Sequence, residues 1–596
     1  CMMPAEGETA PPEPQGRALI KGEVKSTLTS EYSKFLMGEF AAGVILIIAV
    51  TAKENFDQVL TNWEYAIVAG SVGAVLACVG LFLLSSTRGE YHLFNAPMLG
   101  EINVTTLLAL FLLLWWGVAV TVLTFQRPFN VTGNGYFATW AGGLSALGGI
   151  GSTLPKLKES ARAAFGFLLG LLVCALTVGF ELAVGDINIS QNAMGVILGL
   201  IVSVLAFFVV MNLILLDIYG SPAEANVRRA LLVTVFILWG GTAAWLTFTG
   251  PFVVTGNGYF GLWIGLYCAS KLVLDAQTKI SAMLDNESVA AMWGQFVAGC
   301  VIILATLGLE TTGPPGSQAS ETVRYWGYAL SVGIVAAVFS FCGAVLLNGP
   351  TGNKTLFTTS RGPVTINGLI AIFLFLWWGV GTPILTIRDP FTLTKNGFFA
   401  AWFGFLCSVV GIGLSSSKMK GAASSTYAPQ GCLGMSAAML IAILSPKMAD
   451  ETAEFKEYEG PIVYTMVISY LTIAWVFVNV FMMQKGMTCG LMLDKVQSVA
   501  RLALWIISAG WTTFRGPFLN TENGYIAVWA GATCSALLLV AVWMPVPPKP
   551  EGDQVDSADG ASKDEESLGG GNITTESYSS SPTMVNASMA PEDSRD

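Results

Sequence analysis

Pro128-Phe129-Asn130-Val131-Thr132-Gly133-Asn134-Gly135-Tyr136-Phe137 is written four times in this chain. It returns as Pro251-Phe252-Val253-Val254-Thr255-Gly256-Asn257-Gly258-Tyr259-Phe260 and as Pro390-Phe391-Thr392-Leu393-Thr394-Lys395-Asn396-Gly397-Phe398-Phe399. The last copy is Pro517-Phe518-Leu519-Asn520-Thr521-Glu522-Asn523-Gly524-Tyr525-Ile526. The four prolines are 123, 139 and 127 residues apart. Each has a Trp 12 residues before it (Trp116, Trp239, Trp378, Trp505) and a Thr 4 before it (Thr124, Thr247, Thr386, Thr513). Each also has a Trp 12 after it (Trp140, Trp263, Trp402, Trp529), followed two residues on by Gly142, Gly265, Gly404 or Gly531. Such a period sets an architecture of tandem equivalent units before any one residue is interpreted.

The composition sets the solvent. Hydrophobic residues make up 53% and charged residues 12% of the chain, against roughly a quarter charged in soluble domains. Sixteen apolar runs, most of them long enough to cross a ~30 Å hydrocarbon core as helix, follow one another with short polar breaks. The first repeat holds the runs 35–52, 65–84, 104–125 and 136–154, and the second 163–184, 194–216, 230–248 and 259–274. The third holds 289–309, 325–347, 364–387 and 398–414, and the fourth 432–444, 462–483, 499–514 and 525–544. The thirteenth is short, which suggests a tilted or partly inserted span. Because the runs are apolar all round, they do not suit the amphipathic helices of a soluble protein. The expected fold is therefore an all-α integral membrane protein with sixteen transmembrane helices in four tandem parallel four-helix repeats, 35–158, 159–279, 280–420 and 421–546. A cytoplasmic segment, 1–34, precedes them, and a disordered acidic tail, 547–596, follows. The first 34 residues do not read as a cleavable signal.

Basic residues gather in the even-numbered connections, among them Arg88, Lys156, Arg228, Lys354, Lys418 and Lys485. The odd connections carry about half as many, and the longer ones are acidic. The positive-inside rule then places both termini in the cytoplasm and all four Pro-Phe loops outside. Of the sequons at Asn103, Asn130, Asn188, Asn286, Asn353, Asn572 and Asn586, only Asn130 and Asn188 face outward on this topology.

Within each Pro-Phe loop, proline marks the end of the preceding helix. The pairs Asn134-Gly135, Asn257-Gly258, Asn396-Gly397 and Asn523-Gly524 suit a tight turn, since both residue types tolerate positive φ. Thr132 or Asn134, and their counterparts Thr255, Asn257, Thr394, Asn396, Thr521 and Asn523, can cap the next helix. The rings that follow fit the bilayer interface. Trp116 and its equivalents fall near mid-membrane, and Trp140 about 9 Å below Asn134 at ~1.5 Å per residue. All these residues, with Phe129, Phe252, Phe391 and Phe518, are read as a structural helical hairpin. In an alternative reading, Thr and Asn oxygens from the four loops face a pore. An eight-residue hairpin, however, leaves no room for a re-entrant filter held at membrane depth.

Little else points to chemistry. Glu39, Glu181 and Lys271 are the charges inside spans, none recurs in all four repeats, and each can extend toward an interface. His92 is the lone histidine, so haem or His-rich metal sites are not expected, and no nucleotide loop or hydrolase motif appears. Cys268, Cys407 and Cys534 share the place held by Ser145 in the first repeat, which suits tight helix packing. Gly142-Gly143, Gly148-Gly149, Gly240-Gly241, Gly379 and Gly381 likewise let helices approach closely.

Each unit resembles the tetraspan membrane proteins of the MARVEL kind in its four spans, cytoplasmic ends and small outer loops. That resemblance implies a protein that organises membrane patches. The function expected is a non-enzymatic scaffold acting through lateral helix contacts, the alternative being a channel or passive transporter around a central path. No metal, catalytic residue or cofactor is expected beyond structural lipids. Its partners are expected to be the lipid bilayer and other membrane proteins or further copies, with no nucleic acid. A narrow path could use Thr121, Thr242, Thr382 and Asn212.

The topology can be tested directly. Single cysteines at Asn130, Val253, Thr392 and Leu519, in a cysteine-free background, are expected to react with an impermeant maleimide on intact cells. Reaction at any of them only after permeabilisation would reverse the assignment.

Overall fold

The computed structural model describes residues 30–52, 62–86, 88–96, 100–154, 163–185, 189–218, 223–276, 287–309, 319–347, 352, 354–359, 362–414, 427–449, 453–485 and 491–543. Nearly all of the 1–34 segment and the whole 547–596 tail lie outside this set, as do Lys156, Lys418, Asn188, Asn286, Asn353, Asn572 and Asn586. The described helices belong to one compact unit that ends at Pro545.

Sixteen long helices are present among the described residues. The first four are α1 (Glu31–Thr51), α2 (Trp63–Leu84), α3 (Val104–Val120) and α4 (Asn134–Thr153). Next come α5 (Ala163–Val184), α6 (Ile189–Ile218), α7 (Ala225–Phe248) and α8 (Asn257–Ala276). They are followed by α9 (Glu287–Leu304), α10 (Ala319–Leu347), α11 (Ile366–Pro383) and α12 (Asn396–Leu414). The last four are α13 (Tyr427–Ala449), α14 (Glu459–Gln484), α15 (Leu491–Phe514) and α16 (Asn523–Trp543), with a single turn at Ala453–Glu457 ahead of α14. Twelve of them are long and apolar enough to cross a membrane, and the protein is a multi-pass, largely α-helical membrane protein. The other four are α4, α8, α12 and α15. The first is diluted by its glycines, and α15 carries Asp494, Lys495 and Arg501 in its first half. The thirteenth expected span is not short: α13 extends to both sides of the apolar run, past Pro446.

Helices pack with their neighbours in sequence. In the first four, α1 lies against α2 and α4, and α3 against α2 and α4. The same pairings recur within α5–α8, α9–α12 and α13–α16, and four apolar cores result, the third also taking in Phe248 from α7. Each core is organised on its fully buried Trp: Trp116, Trp239, Trp378 or Trp505. The indole lies flat on the glycine that follows the second recurrent Trp. A methyl group at Gly265 would stand 2.6 Å from the Trp239 ring, and one at Gly142, Gly404 or Gly531 would likewise overlap the ring beside it. The fixed spacing of Trp and Gly is thus a knob and its notch on adjacent helices, which places these tryptophans between helices and not in lipid. Glycine also lets α1 cross α2 at Gly43 and Gly70, and α9 cross α10 at Gly299 and Gly333, backbone against backbone. The recurrent cysteines pack as expected: a methyl at Gly170 would meet Cys268 Sγ at 2.9 Å.

Alternate groups are more alike. Antiparallel hairpins that periodicity did not foretell, β1 (His92–Ala96) with β2 (Gly100–Asn103) and β3 (Thr355–Thr359) with β4 (Gly362–Thr365), precede α3 and α11. Their last residues, Asn103 and Thr365, cap those helices. Both helices then end in a π-helical turn, at Thr121–Gln126 and Ile384–Arg388. In contrast, α7 and α15 lead to Gly250-Pro251 and Gly516-Pro517, with both glycines at positive φ. All four recurrent prolines follow a cis peptide bond.

Glu39 does not reach an interface. It is buried in α1 facing the Trp116 indole, and among the described residues its Oε2 and Trp116 Nε1 stand without a partner inside 3.5 Å. Helix packing around the Trp encloses the carboxyl side chain, which is only 1% exposed.

Gly142→Ala and Gly404→Ala are each expected to destabilise the purified protein by about 1–3 kcal/mol through overpacking. Gly117→Ala, where a methyl would meet nothing within 4 Å, is the control, and its thermal midpoint should hold or rise. Equal midpoints for all three would remove the knob-and-notch account.

Candidate functional site

The Pro-Phe loops converge, and their recurrent residues make one site. The local fold comes first. Phe129 N–H donates to Leu123 O at 2.9 Å, closing the loop back on the end of its helix, and Phe252, Phe391 and Phe518 donate likewise to Leu246, Leu385 and Thr512. The Phe ring then covers the glycine after the recurrent Asn, where a side chain at Gly135, Gly258, Gly397 or Gly524 would overlap it. These glycines are needed for close approach, and none of the four lies at positive φ.

The asparagines are not turn or cap residues. Each is the first residue of its helix, and the position before Asn134, Gly133, offers no side-chain cap. Their amides instead cross to the preceding four-helix group. Asn257 Nδ2 donates to Thr124 O at 3.0 Å, Asn396 Nδ2 to Thr247 O at 3.1 Å, and Asn523 Nδ2 to Thr386 O at 2.7 Å. Asn134 closes the circuit by donating to Thr513 O at 3.0 Å. The acceptors are carbonyls from the last turn of a helix, which have no partner within the helix itself. The threonine hydroxyls at these four positions bond back to residues four earlier, Val120, Ala243, Thr382 and Ala509.

Each amide oxygen is held from the same neighbour. Trp140 Nε1 donates to Asn257 Oδ1 at 2.9 Å, Trp263 to Asn396 at 3.1 Å, Trp402 to Asn523 at 2.9 Å and Trp529 to Asn134 at 3.1 Å. The Tyr259 and Tyr525 hydroxyls add donors to Asn396 and Asn134, both at 2.8 Å. Phe398, in the matching place of the third copy, has no hydroxyl to offer Asn523. Glu181, near the end of α5, accepts from Asn257 Nδ2 at 3.4 Å.

Inside this circuit the four recurrent threonine hydroxyls form a chain, in the order Thr521, Thr132, Thr255, Thr394. Thr132 Oγ1 is 2.8 Å from Thr521 Oγ1 and 3.2 Å from Thr255 Oγ1, and Thr255 Oγ1 is 3.5 Å from Thr394 Oγ1. Thr132 therefore bonds across to its counterparts and does not cap α4. Phe137, Phe260 and Phe399 touch in sequence, with ring centroids 6.2 and 6.1 Å apart, and Phe137 also meets Tyr525 at 6.2 Å. These rings thus meet one another across the joints between groups, while Phe137 stays 37% exposed.

The polar residues considered for a conduit are elsewhere engaged. Thr121 donates to Gly117 O, Thr242 to Leu238 O, Thr382 to Ala401 O and Asn212 to Phe208 O. Lys271 is exposed, its Nζ 5.8 Å from the Tyr267 ring centre.

Because Asn134 and Asn396 hold a tyrosine that Asn523 lacks, the alanine variants should differ. Asn134→Ala strands the buried Tyr525 hydroxyl and is expected to cost about 1–3 kcal/mol more than Asn523→Ala, with Asn396→Ala between the two. Thermal unfolding ranks the three, and equal losses would contradict the assigned bonds.

Compared with known proteins, the chain matches no family model, no curated protein and no solved structure.

Proposed function

We propose that the protein is a non-enzymatic membrane scaffold. In this reading four quasi-equivalent four-helix units, sixteen spans in all, are locked into a closed ring by asparagine amides and organise the surrounding membrane laterally. The helices α4, α8, α12 and α15 then cross the bilayer with the other twelve, both termini lie on one side, and the four-span unit keeps its outline resemblance to MARVEL proteins. The perimeter meets lipid, other membrane proteins or further copies of the chain, and no catalytic step is assigned.

The observation that carries the reading is the closure of the axis. Hydroxyls from all four loops stand in a chain at hydrogen-bonding distance, beside touching aromatic rings, which supports a closed axis, whereas conduction requires a wet path. The recurrent polar atoms are also spent on joining neighbours. A channel reading would draw on the same threonine chain, but it needs the phenylalanines to part.

Purified protein in liposomes is expected to pass monovalent ions and small neutral solutes at the rate of protein-free vesicles. Flux above that rate which Thr132→Val or Phe137→Trp abolishes would replace the scaffold with a channel.

A further inference from the structure

The third helix of each group carries a buried residue one turn before its recurrent Trp. In α3, α7 and α11 it is Leu112, Val235 or Leu374, and in α15 it is Arg501, only 8% exposed. The rest of α15 is turned to match. Ser498, Arg501, Ser508 and Thr512 share its buried face, while Val496, Val499, Ile506 and Ile507 are exposed. This helix hides its polar stripe inside the fourth group, α13–α16, and shows its apolar one to the surroundings.

Arginine keeps its charge in proteins, and a buried charge left unpaired is strongly unfavourable. Among the described residues no carboxylate lies within ion-pair distance of Arg501, and its Nε has no hydrogen-bond partner. The Trp475 ring, its centre 5.2 Å from Cζ, packs on the guanidinium but cancels no charge. The other described charges at this end of the group are Asp494, seven residues back on α15, and two bases, Lys485 and Lys495, each against an aromatic ring. The balance is positive. Across from α15, Trp505 packs on Gly531 of the antiparallel α16. Ser535 follows that glycine by four residues as Arg501 precedes the Trp by four, so the two stand level. The Ser535 hydroxyl is fully buried and likewise has no partner.

We propose that Arg501 holds the phosphate of an anionic membrane lipid, with the Ser535 hydroxyl as a second donor. A guanidinium presents paired N–H groups that match phosphate oxygens, and such charge-assisted bonds are the strong ones. Depth selects a lipid. Arg501 precedes Pro517 by sixteen residues, about 24 Å at ~1.5 Å per residue. It therefore lies near the far boundary of a ~30 Å hydrocarbon core, where its long side chain reaches the headgroup layer. This placement rests on the reading of α15 as a span. The lipid belongs to the fourth group alone, because the other three carry an aliphatic side chain at this place.

Full-length protein in a neutral detergent is titrated with dihexanoyl phosphatidylglycerol, dihexanoyl phosphatidylcholine or inorganic phosphate while its thermal midpoint is followed. Phosphatidylglycerol is expected to raise the midpoint by about 3 °C or more at saturation, and the other two to leave it in place. In Arg501→Leu, which carries the side chain found in α3 and α11, the rise should vanish. Arg501→Lys keeps the charge but loses the paired N–H groups, and should retain about half of it or less. An equal rise with phosphatidylcholine would overturn the choice of an anionic lipid. An equal rise with inorganic phosphate would overturn the lipid and leave a site for free phosphate. No rise with any of the three, or the same rise in Arg501→Leu, would overturn the site. The crossing is checked separately, with a cysteine at Met492 that should react with an impermeant maleimide only after permeabilisation and one at Leu519 that should react on intact cells. Reaction of both from one side removes the span, and with it the headgroup depth, whatever the thermal result. An intact crossing without a thermal shift removes the ligand alone.

Discussion

A buried primary amide has two N–H groups and an oxygen that need partners, and leaving them unmet costs a few kcal/mol. The recurrent asparagines meet that demand across a junction, Asn257 adding a bond to Glu181 of its own group. Asn257, Asn396, Asn523 and Asn134 each point both ends of the amide at the preceding group, at a helix-terminal carbonyl and at an indole N–H. Hydrophobic burial cannot hold the groups together, because lipid tails are as apolar as the helix faces. Directional bonds can, and they set the angle between neighbours as well as their contact.

The remaining recurrent residues bring the amide to its place. The Trp and Gly pair fixes α3 against α4, so the loop between them starts and ends at a set separation. The Phe closes that loop on its own helix end and leaves the threonine carbonyl free for the incoming amide. Removing the glycine under the Phe would tilt the first turn of α4, and with it Asn134. Packing inside a group and bonding between groups are thus linked through a few residues on either side of proline.

Much of this was legible in the sequence. Apolar runs set the helices, the repeat set their grouping, and the Trp spacing announced burial. The direction of the asparagines was not legible. An Asn beside a Gly after a Pro reads as a turn because local rules consider only near neighbours, whereas its partners here lie more than a hundred residues away. The threonines four before each proline were visible as a pattern, but their role lies in a backbone carbonyl, which no side-chain type reports. Glu39 was misjudged because exposure was inferred from depth along α1, while the neighbouring Trp116 encloses it. The hairpins β1–β2 and β3–β4 escaped because each strand has only four or five residues, too few for a period of two to show.

The alternation of the groups has a consequence for how such a chain could arise. Groups one and three share hairpins, capped third helices and π turns, while two and four share the Gly-Pro entry to the loop. Every junction runs in the same sense, later group to earlier, and the last bond returns from Asn134 to Thr513. A half-length protein of two groups would therefore carry one complete joint and two complementary loose ends. Two copies of it, head to tail, would form the same circle about a twofold axis. Fusing them would then convert an association that depends on concentration into one built into a single polypeptide, and free each half to diverge.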